Sequence, residues 1–304
     1  MICAFIEVNK EQYGVEPICR VLTEHGCPIA PSTYYDARRR PPSARELRDA
    51  ELKKEITVIH QENYSVYGAH KVWMALRRKG IDVARCTVER LMRELGLRGV
   101  LRGRPPRTTQ SDPTAVRAAD LVHRKFNPLA PNQLWVADFT YVRTVMGWVY
   151  VAFVIDAYAR RILGWKVSTR MTTPLVLAAI NQAIWVRRTE GITDLSGLTH
   201  HNDAGSQYTS IAFTDRLLEV GIDASIGTVG DAHDNSLAES VNGLYKTELI
   251  KQQGPWRNAA HVEAATADYL HWFNHDRLYE YCGDMPPIEC EQLYYNQGIG
   301  QHAS

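Results

Sequence analysis

Residues 134–142 have the sequence LWVADFTYV, in which one carboxylate, Asp138, stands among aromatic and β-branched side chains. Such residues favour a β-strand, and the run contains neither Pro nor Gly. Because both faces of this strand are apolar, we predict that it lies in the middle of a sheet. A carboxylate there costs free energy unless another group balances its charge.

Two further carboxylates lie near core elements downstream. Asp203 lies in HNDAGSQYT (residues 201–209), after a short apolar run, and Glu239 lies in DNSLAES (residues 234–240), at the start of a predicted helix. Three such acids can bind divalent metal ions through oxygen. Each also has a structural interpretation: Asp138 could pair with a buried arginine, Asp203 could be a turn residue, and Ser236 and Glu239 fit a capping box.

The segments after residue 134 alternate between strand and helix patterns. We predict strands at 134–144, 148–155, 161–168, 198–201 and 222–226, and helices at 174–188, 210–220, 236–251 and 261–274. This order is that of an α/β, RNase H-like fold, a mixed sheet flanked by helices. It places Asp138 on the central first strand and Asp203 after the neighbouring fourth. Asp156 precedes a turn, and we expect a structural or pairing role for it.

The front of the chain is predicted to be a small all-α region. Two short helices and a long charged helix (16–25, 33–40 and 43–62) precede a helical hairpin with helices at 68–79 and 84–95. In the second hairpin helix, an apolar stripe runs through Val88, Leu91, Met92 and Leu95. Three arginines, Arg85, Arg90 and Arg93, lie off this stripe. They can reach the phosphates or base edges of DNA if the hairpin is a helix-turn-helix unit. A basic hairpin without a DNA role is the alternative.

The charge distribution divides the chain. Residues 1–107 carry 20 basic and 13 acidic side chains, against 15 and 21 in residues 108–304. This asymmetry favours nucleic-acid binding by the N-terminal part of the chain and metal binding by the C-terminal part. Two solvated surfaces of opposite charge, without either function, would give the same counts. Arg102 and Arg104 belong to a Pro-containing basic linker, which can follow a phosphate backbone or simply connect two domains.

Composition argues against a secreted or membrane-embedded protein. The longest apolar run is far too short to span a bilayer, and the first ten residues lack the apolar core of a signal peptide. The six cysteines form no C-x-x-C pair, which fits reduced thiols. We therefore expect a cytoplasmic protein that does not contact a membrane.

The ordered motifs resemble those of a known family. Thirty-five residues separate Asp203 from Glu239, as in the DDE catalytic domain of retroviral integrases and insertion-sequence transposases. Over nearly its whole length the chain resembles the second-frame transposase of two-frame insertion sequences in the IS-three family. The motifs are PN at 131–132, Trp135, Asp138, TY at 140–141, D-x-GSQY at 203–208, DN-x3-ES at 234–240 and WFN-x2-R at 272–277.

The resemblance implies DNA strand cleavage and strand transfer during transposition. It implies two Mg²⁺ or Mn²⁺ ions, with Asp138 bridging both and Asp203 and Glu239 each completing one. Glu239, Asn242 and Lys246 are spaced to share one helical face, so Asn242 and Lys246 are candidate DNA contacts. Ala204 stands where relatives often have Arg, which puts full activity in question. A metal-dependent nuclease of the same fold and a catalytically weak DNA-binding remnant are the alternatives.

The implied partners are transposon inverted-repeat ends, target DNA and further copies of the chain. Since the chain begins at Met1 without leucine-zipper heptads, we also expect an upstream-frame DNA-binding protein or fusion. The predicted division is an N-terminal helical segment, a helix-turn-helix domain, a basic linker, a catalytic core and a C-terminal helical extension (1–42, 43–99, 100–131, 132–252 and 253–304).

Overall fold

The computed structural model describes residues 2–101, 122, 126–202, 207, 208, 210–226 and 236–302, with side chains up to residue 297. The chain forms two compact units, residues 1–55 and 56–304. The boundary between the units falls inside a helix, and the five domains drawn from the sequence stay a prediction. No helix in the described ranges has the length and apolarity needed to cross a membrane.

The first unit is helical. Its helices are α1 (Ile2–Tyr13), α2 (Val15–Glu24), α3 (Pro31–Arg39) and the first part of α4 (Ala44–Glu62). A small core of Ile6, Ile18, Cys19 and Tyr34 joins the first three helices. The sequence predicted α2, α3 and α4, but α1 was missed.

The predicted helical hairpin is present in the second unit. It consists of α5 (Ala69–Arg78) and α6 (Arg85–Glu94), which bury Val72, Leu76, Val88, Leu91 and Met92. Leu95, the last residue of the predicted stripe, lies at the helix end and is exposed.

The hairpin contacts the C-terminal part of the second unit. The backbone N–H of Leu278 donates to the Tyr67 hydroxyl at 2.7 Å. The His70 Nε2 lies 2.9 Å from an Asp284 carboxylate oxygen. These contacts fix the hairpin on the same body as the sheet.

In the described part of the chain, one mixed sheet of five strands has the order β3-β2-β1-β4-β5. The strands are β1 (Leu134–Thr144), β2 (Gly147–Asp156), β3 (Ile162–Ser168), β4 (Thr199–Asn202) and β5 (Asp223–Ile226). The first three pair antiparallel, whereas β4 pairs parallel with β1 and β5. The predicted mixed sheet with a central first strand is confirmed.

Helices cover both faces of the sheet. Helices α7 (Thr173–Thr189) and α8 (Ile211–Glu219) pack over a core that includes Trp135 and Ala137. On the other face, Tyr245 of α9 (Ser236–Tyr245) contacts the Phe153 ring of β2 and the Tyr269 ring of α11 (Ala259–His275). Strand β3 approaches α7 so closely that a Cβ at Gly164 would lie 2.0 Å from the carbonyl oxygen of Ala179. Only glycine fits there without a shift of the helix.

The chain after α9 departs from the predicted continuous helix over 236–251. A π-helix (Lys246–Ile250) follows α9 and leads into the short α10 (Lys251–Gln253). A 3₁₀ turn (Glu280–Cys282) and α12 (Pro287–His302) end the described chain. The π-helix widens the helix locally, and such segments often occur at functional sites.

Candidate active site and nucleic-acid interface

Asp138 lies midway along β1, opposite Phe153 of β2, and is half-buried. Its carboxylate oxygen Oδ1 accepts a 2.8 Å hydrogen bond from the backbone N–H of Phe139. The other oxygen, Oδ2, accepts a 2.8 Å hydrogen bond from the Asn242 side-chain amide of α9. The carboxylate is therefore held in one orientation by a core strand and by a helix packed across it.

The Asn242 contact also locates Glu239. Glu239 is exposed on α9, three residues before Asn242. Residues three apart lie on one face of a helix and about 4.5 Å apart along its axis. Glu239 is thus about one helical turn from the residue that touches Asp138.

Lys246 lies two turns after Glu239, at the first position of the π-helix. Its ammonium lies 4.3 Å from the centre of the Tyr141 ring on β1. Partial burial lowers the pKa of Lys246, and the negative charge of Asp138 opposes that shift. The charge of Asp138 therefore acts on Lys246, which is half-buried.

Glu248 belongs to a buried ion pair. Its two carboxylate oxygens accept hydrogen bonds from Arg277 Nη2 at 2.6 Å and Nε at 2.9 Å. The Tyr269 hydroxyl donates to the same carboxylate at 2.9 Å. The Arg277 guanidinium lies between the rings of Phe273 and Tyr279, with ring centres 5.2 and 5.0 Å away. This pair fixes the π-helix that carries Lys246 and gives the WFN-x2-R motif a structural role.

Asp156 has the pairing role that the sequence predicted. Its carboxylate accepts a 2.9 Å hydrogen bond from the buried Arg187 of α7, and further ones from the backbone N–H groups of Asn132 and Tyr158 at 2.8 and 2.9 Å. Arg187 also pairs with Glu291 of α12. Asp156 joins the end of β2 to two helices and is not part of the candidate active site.

The hairpin arginines lie on the surface of α6. Arg85 pairs with Glu89 at 2.9 Å and Arg90 pairs with Glu94 at 2.8 Å. Arg93 is exposed one turn away. Exposed pairs of this kind stabilise a helix by only about 0.3–0.5 kcal/mol, so a phosphate can replace the glutamate at little cost.

Several predicted positions lie outside the described residues. These are Asp203, Ala204, Arg102 and Arg104. In the ranges that are described, no three His, Cys, Asp or Glu side chains gather to bind a metal ion. The three-carboxylate site and the DNA contacts therefore stay predictions.

The comparison with protein families matches the two halves of the chain to different domain types. The HTH-like domain family matches residues 46–105. Two families described as Integrase core domain match residues 128–232 and 220–287. These matches confirm a helix-turn-helix unit in front of an integrase-type core.

Two relatives extend over most of the chain. A protein from Mycobacterium tuberculosis, named for insertion sequence element IS986/IS6110, is 63% identical over 270 residues, which cover 89% of this chain and 97% of the relative. The transposase for insertion sequence element IS629 from Shigella sonnei is 53% identical over 291 residues, which cover 94% of each chain. The chain belongs to the IS-three family of insertion-sequence transposases.

The transposase is accordingly a nucleic-acid-processing enzyme, and its two domain types make DNA its partner. Among solved structures, the trimeric form of the HTLV-2 integrase catalytic core domain in complex with magnesium matches 54% of the transposase and 98% of its own chain. Its identity is 18% and its TM-score 0.41. The fold of the transposase is assigned from its own sheet order and from the integrase-core match.

Sequence reasoning missed several side chains around Asp138. Trp148 was taken only as a strand residue, and Tyr141 only as a strand residue and a member of the TY motif at 140–141. The available signal was the alternation along β1, where Tyr141 and Arg143 are exposed and Val142 and Thr144 are buried. Because side chains alternate between the two faces of a strand, this pattern distinguishes the exposed side chains of β1 from the buried ones.

Proposed function

We propose that this transposase cleaves and joins DNA strands with Asp138, Asp203 and Glu239 as its three metal-binding carboxylates. The observation that carries the proposal is the hydrogen bond from Asn242 to Asp138, which ties the helix of Glu239 to the central strand. The hydrogen bond joins the strand that carries Asp138 to the helix that carries Glu239, and this supports a shared site for the two carboxylates.

The sheet register supports the inclusion of Asp203. Parallel pairing of β1 with β4 aligns Ala137 with Asn202. Ala137 and Asn202 are the residues immediately before Asp138 and Asp203. This register supports Asp203 as a member of the same carboxylate set as Asp138.

The side chains fit hard divalent cations. Carboxylate oxygens are the preferred ligands of Mg²⁺ and Mn²⁺, and the Asn242 amide would hold the Asp138 ligand in a fixed orientation. When two such ions are bound, they stabilise the attacking and leaving oxygens of an in-line displacement at phosphorus. Asp138, Asp203 and Glu239 would hold these ions.

The remaining polar side chains would bind DNA. Lys246, on which the charge of Asp138 acts, can contact a phosphate near the cleaved bond, and Asn242 borders the same site. The hairpin residues Arg85, Arg90 and Arg93 and the linker residues Arg102 and Arg104 would contact the backbone further away. The DNA partners would be the inverted-repeat ends and the target.

The assembly would contain several copies of the transposase on DNA in the bacterial cytoplasm, associated with the nucleoid. It would be joined by an upstream-frame DNA-binding protein or its fusion. A metal-dependent nuclease that cuts without joining is the second candidate, because cutting uses the same carboxylates.

The test is a cleavage and joining assay on duplexes that carry the terminal repeats of the encoding element. Asp138→Asn should abolish both reactions in Mg²⁺ and in Mn²⁺ and leave DNA binding unchanged, because the amide keeps the shape and loses the charge. The exposed Asp268→Asn is the matched control and should behave as wild type. Full cleavage by Asp138→Asn would refute the proposal, and cleavage without any joined product would favour the nuclease.

A further inference from the structure

A patch of aromatic and cationic side chains lies near the turn of the β-hairpin formed by β1 and β2. Tyr141 and Trp148 are 38% and 47% exposed, and Arg143 between them is also exposed. Arg143 pairs directly with Trp148 across the two strands, and Tyr141 lies two residues from Arg143. Residues two apart point to the same face of a strand, so the three side chains share one surface.

Together with Lys246, these side chains form a continuous series, which we name the cation–aromatic row. The Lys246 ammonium lies 4.3 Å from the Tyr141 ring centre. The Tyr141 and Trp148 ring centres are 5.3 Å apart, at an interplanar angle of 83°. The Arg143 guanidinium carbon lies 5.4 Å from the Trp148 ring centre. Cations thus lie at both ends and two aromatic rings in the middle.

Within the described residues, neither Lys246 nor Arg143 forms an ion pair with a carboxylate, although the charge of Asp138 acts on Lys246. Arg85 and Arg90 of α6 and the buried Arg187 and Arg277 do have carboxylate partners. Cation–π contacts at exposed sites contribute only about 0.5–1 kcal/mol each, too little to require two large exposed rings for folding. The row therefore has the composition of a surface for an anionic, ring-containing ligand.

The position of the row relates it to the candidate active site. Tyr141 lies three residues after Asp138 on the same strand, roughly 10 Å along it, and strand alternation directs the two side chains to opposite faces. Lys246 connects the two places, because its ammonium lies over the Tyr141 ring and is acted on by the charge of Asp138. A DNA strand at Asp138 would reach the row by passing Lys246.

We propose that the cation–aromatic row binds unpaired nucleotides of the DNA strand adjoining the cleavage position. Bases stack on Tyr141 and Trp148, and the phosphates between them contact Lys246 and Arg143. The inference rests on the proposed function, since that function places DNA at Asp138.

The ring geometry favours a single strand over a duplex. Because the two rings are nearly perpendicular, both cannot lie parallel to neighbouring stacked base pairs. Unpaired nucleotides rotate independently about their backbone and can follow both rings. The row would therefore hold a frayed or already separated end.

The test measures binding of a fluorescein-labelled oligothymidylate, dT12, and of a blunt duplex of equal length to the full chain in the presence of a chelator. Trp148→Ala and Tyr141→Ala should each weaken dT12 binding at least about fivefold, the lower end of the effect of losing one stacked base. Trp148→Phe, which keeps a ring, should retain most of the affinity. The duplex should be affected less than about twofold.

Trp185 provides the matched control, because it is 63% exposed on α7 and lies outside the row. Trp185→Ala should bind dT12 as wild type does. Unchanged dT12 binding by Trp148→Ala and Tyr141→Ala would overturn the proposal, as would equal weakening of dT12 and duplex. Sedimentation of the same variants tests whether the row instead binds a second copy of the chain. Loss of self-association with unchanged dT12 binding would also overturn the proposal.

This test is independent of the catalytic proposal. With chelator present no metal-dependent cleavage occurs, so dT12 binding is measured separately from catalysis. If Asp138→Asn abolishes cleavage while the row variants bind dT12 normally, the stacking proposal fails and the catalytic one stands. If the row variants lose dT12 binding while Asp138→Asn still cleaves, the catalytic proposal fails and the row remains a binding surface for single-stranded DNA.

Discussion

Asn242 on α9 donates a 2.8 Å hydrogen bond to the carboxylate of Asp138 on β1, although 104 positions separate the two residues. The bond joins the central strand to the helix that carries both Glu239 and Lys246. Asn242 is not itself a candidate metal ligand, but its hydrogen bond orients one. The loss of such a contact commonly lowers metal affinity or activity about 10- to 100-fold.

Asn242→Ala should therefore raise the Mg²⁺ concentration for half-maximal DNA cleavage by about 10- to 100-fold. The measurement is a metal titration of cleavage at fixed DNA concentration. Asn181→Ala, on the exposed surface of α7, is the control and should leave the titration unchanged. An Asn242→Ala titration that overlays the wild type would show that the hydrogen bond does not orient a metal ligand.

Removing one partner of the Glu248–Arg277 pair should destabilise the fold. Arg277→Met leaves a buried carboxylate without its cation, and we expect a loss of about 3–5 kcal/mol in the free energy of unfolding. Adding Glu248→Gln removes the remaining charge and should restore part of that loss. Denaturant titrations of the single and double variants measure both effects, and equal stability of the two variants would contradict the account.

The same double variant separates stability from positioning. Glu248 lies in the π-helix that begins at Lys246. We expect the double variant to join DNA ends more slowly than wild type even at temperatures where it is fully folded, because Lys246 is no longer held in place. Arg187→Met with Asp156→Asn removes another buried pair, away from Lys246, and is the control for non-specific loosening.

The hairpin arginines should contribute to the salt dependence of DNA binding. Each phosphate contact adds about 0.9 to the slope of log K against log salt, so alanine at Arg85, Arg90 and Arg93 should lower the slope by up to about 2.7. Binding isotherms at several salt concentrations give the slope. Arg170→Ala with Arg188→Ala, both outside the hairpin, should change it little. An unaltered slope in the triple variant would assign the hairpin a structural role.

Lys71 on α5 should make stability depend on pH. Burial, reinforced by the nearby Arg277, lowers the pKa of Lys71 to about 8 from its ordinary value of 10.5. Between about pH 8 and pH 10.5 the unfolded chain therefore binds more protons at Lys71 than the folded chain does. The free energy of unfolding consequently rises with pH in that window. We expect the stability deficit of wild type relative to Lys71→Met to shrink by about 1 kcal/mol from pH 7 to pH 9. A constant difference between the two proteins would show that Lys71 titrates normally.

The central sheet could be predicted because its signals are local. The predicted strand at 134–144 agrees with β1, and the strand order follows from alternation and turns. Asp156 was also assigned a pairing role in advance, because a carboxylate at a strand end before a turn is more often structural. Hydrophobic periodicity and turn residues are properties of short segments, and the strands of the central sheet depend on little else.

The features around Asp138 could not be predicted because they depend on distant contacts. The π-helix at Lys246 is held by Arg277, which lies 29 positions after Glu248. Trp148 belongs to an apolar run that predicts a core strand, yet its side chain is exposed near the turn of the hairpin. A sequence pattern identifies which side chains are apolar, but elements distant in the chain decide which of them are covered.

The central claim is that Asp138, Asp203 and Glu239 bind the same metal ions, and iron-directed cleavage of the polypeptide tests it most directly. Fe²⁺ bound in place of Mg²⁺ generates hydroxyl radicals with ascorbate and peroxide, which cut the backbone next to the ion. We predict cuts near residues 138, 203 and 239, suppressed by excess Mg²⁺ and absent in Asp138→Asn. Cuts confined to other positions, or a cutting pattern that Asp138→Asn leaves intact, would contradict the claim.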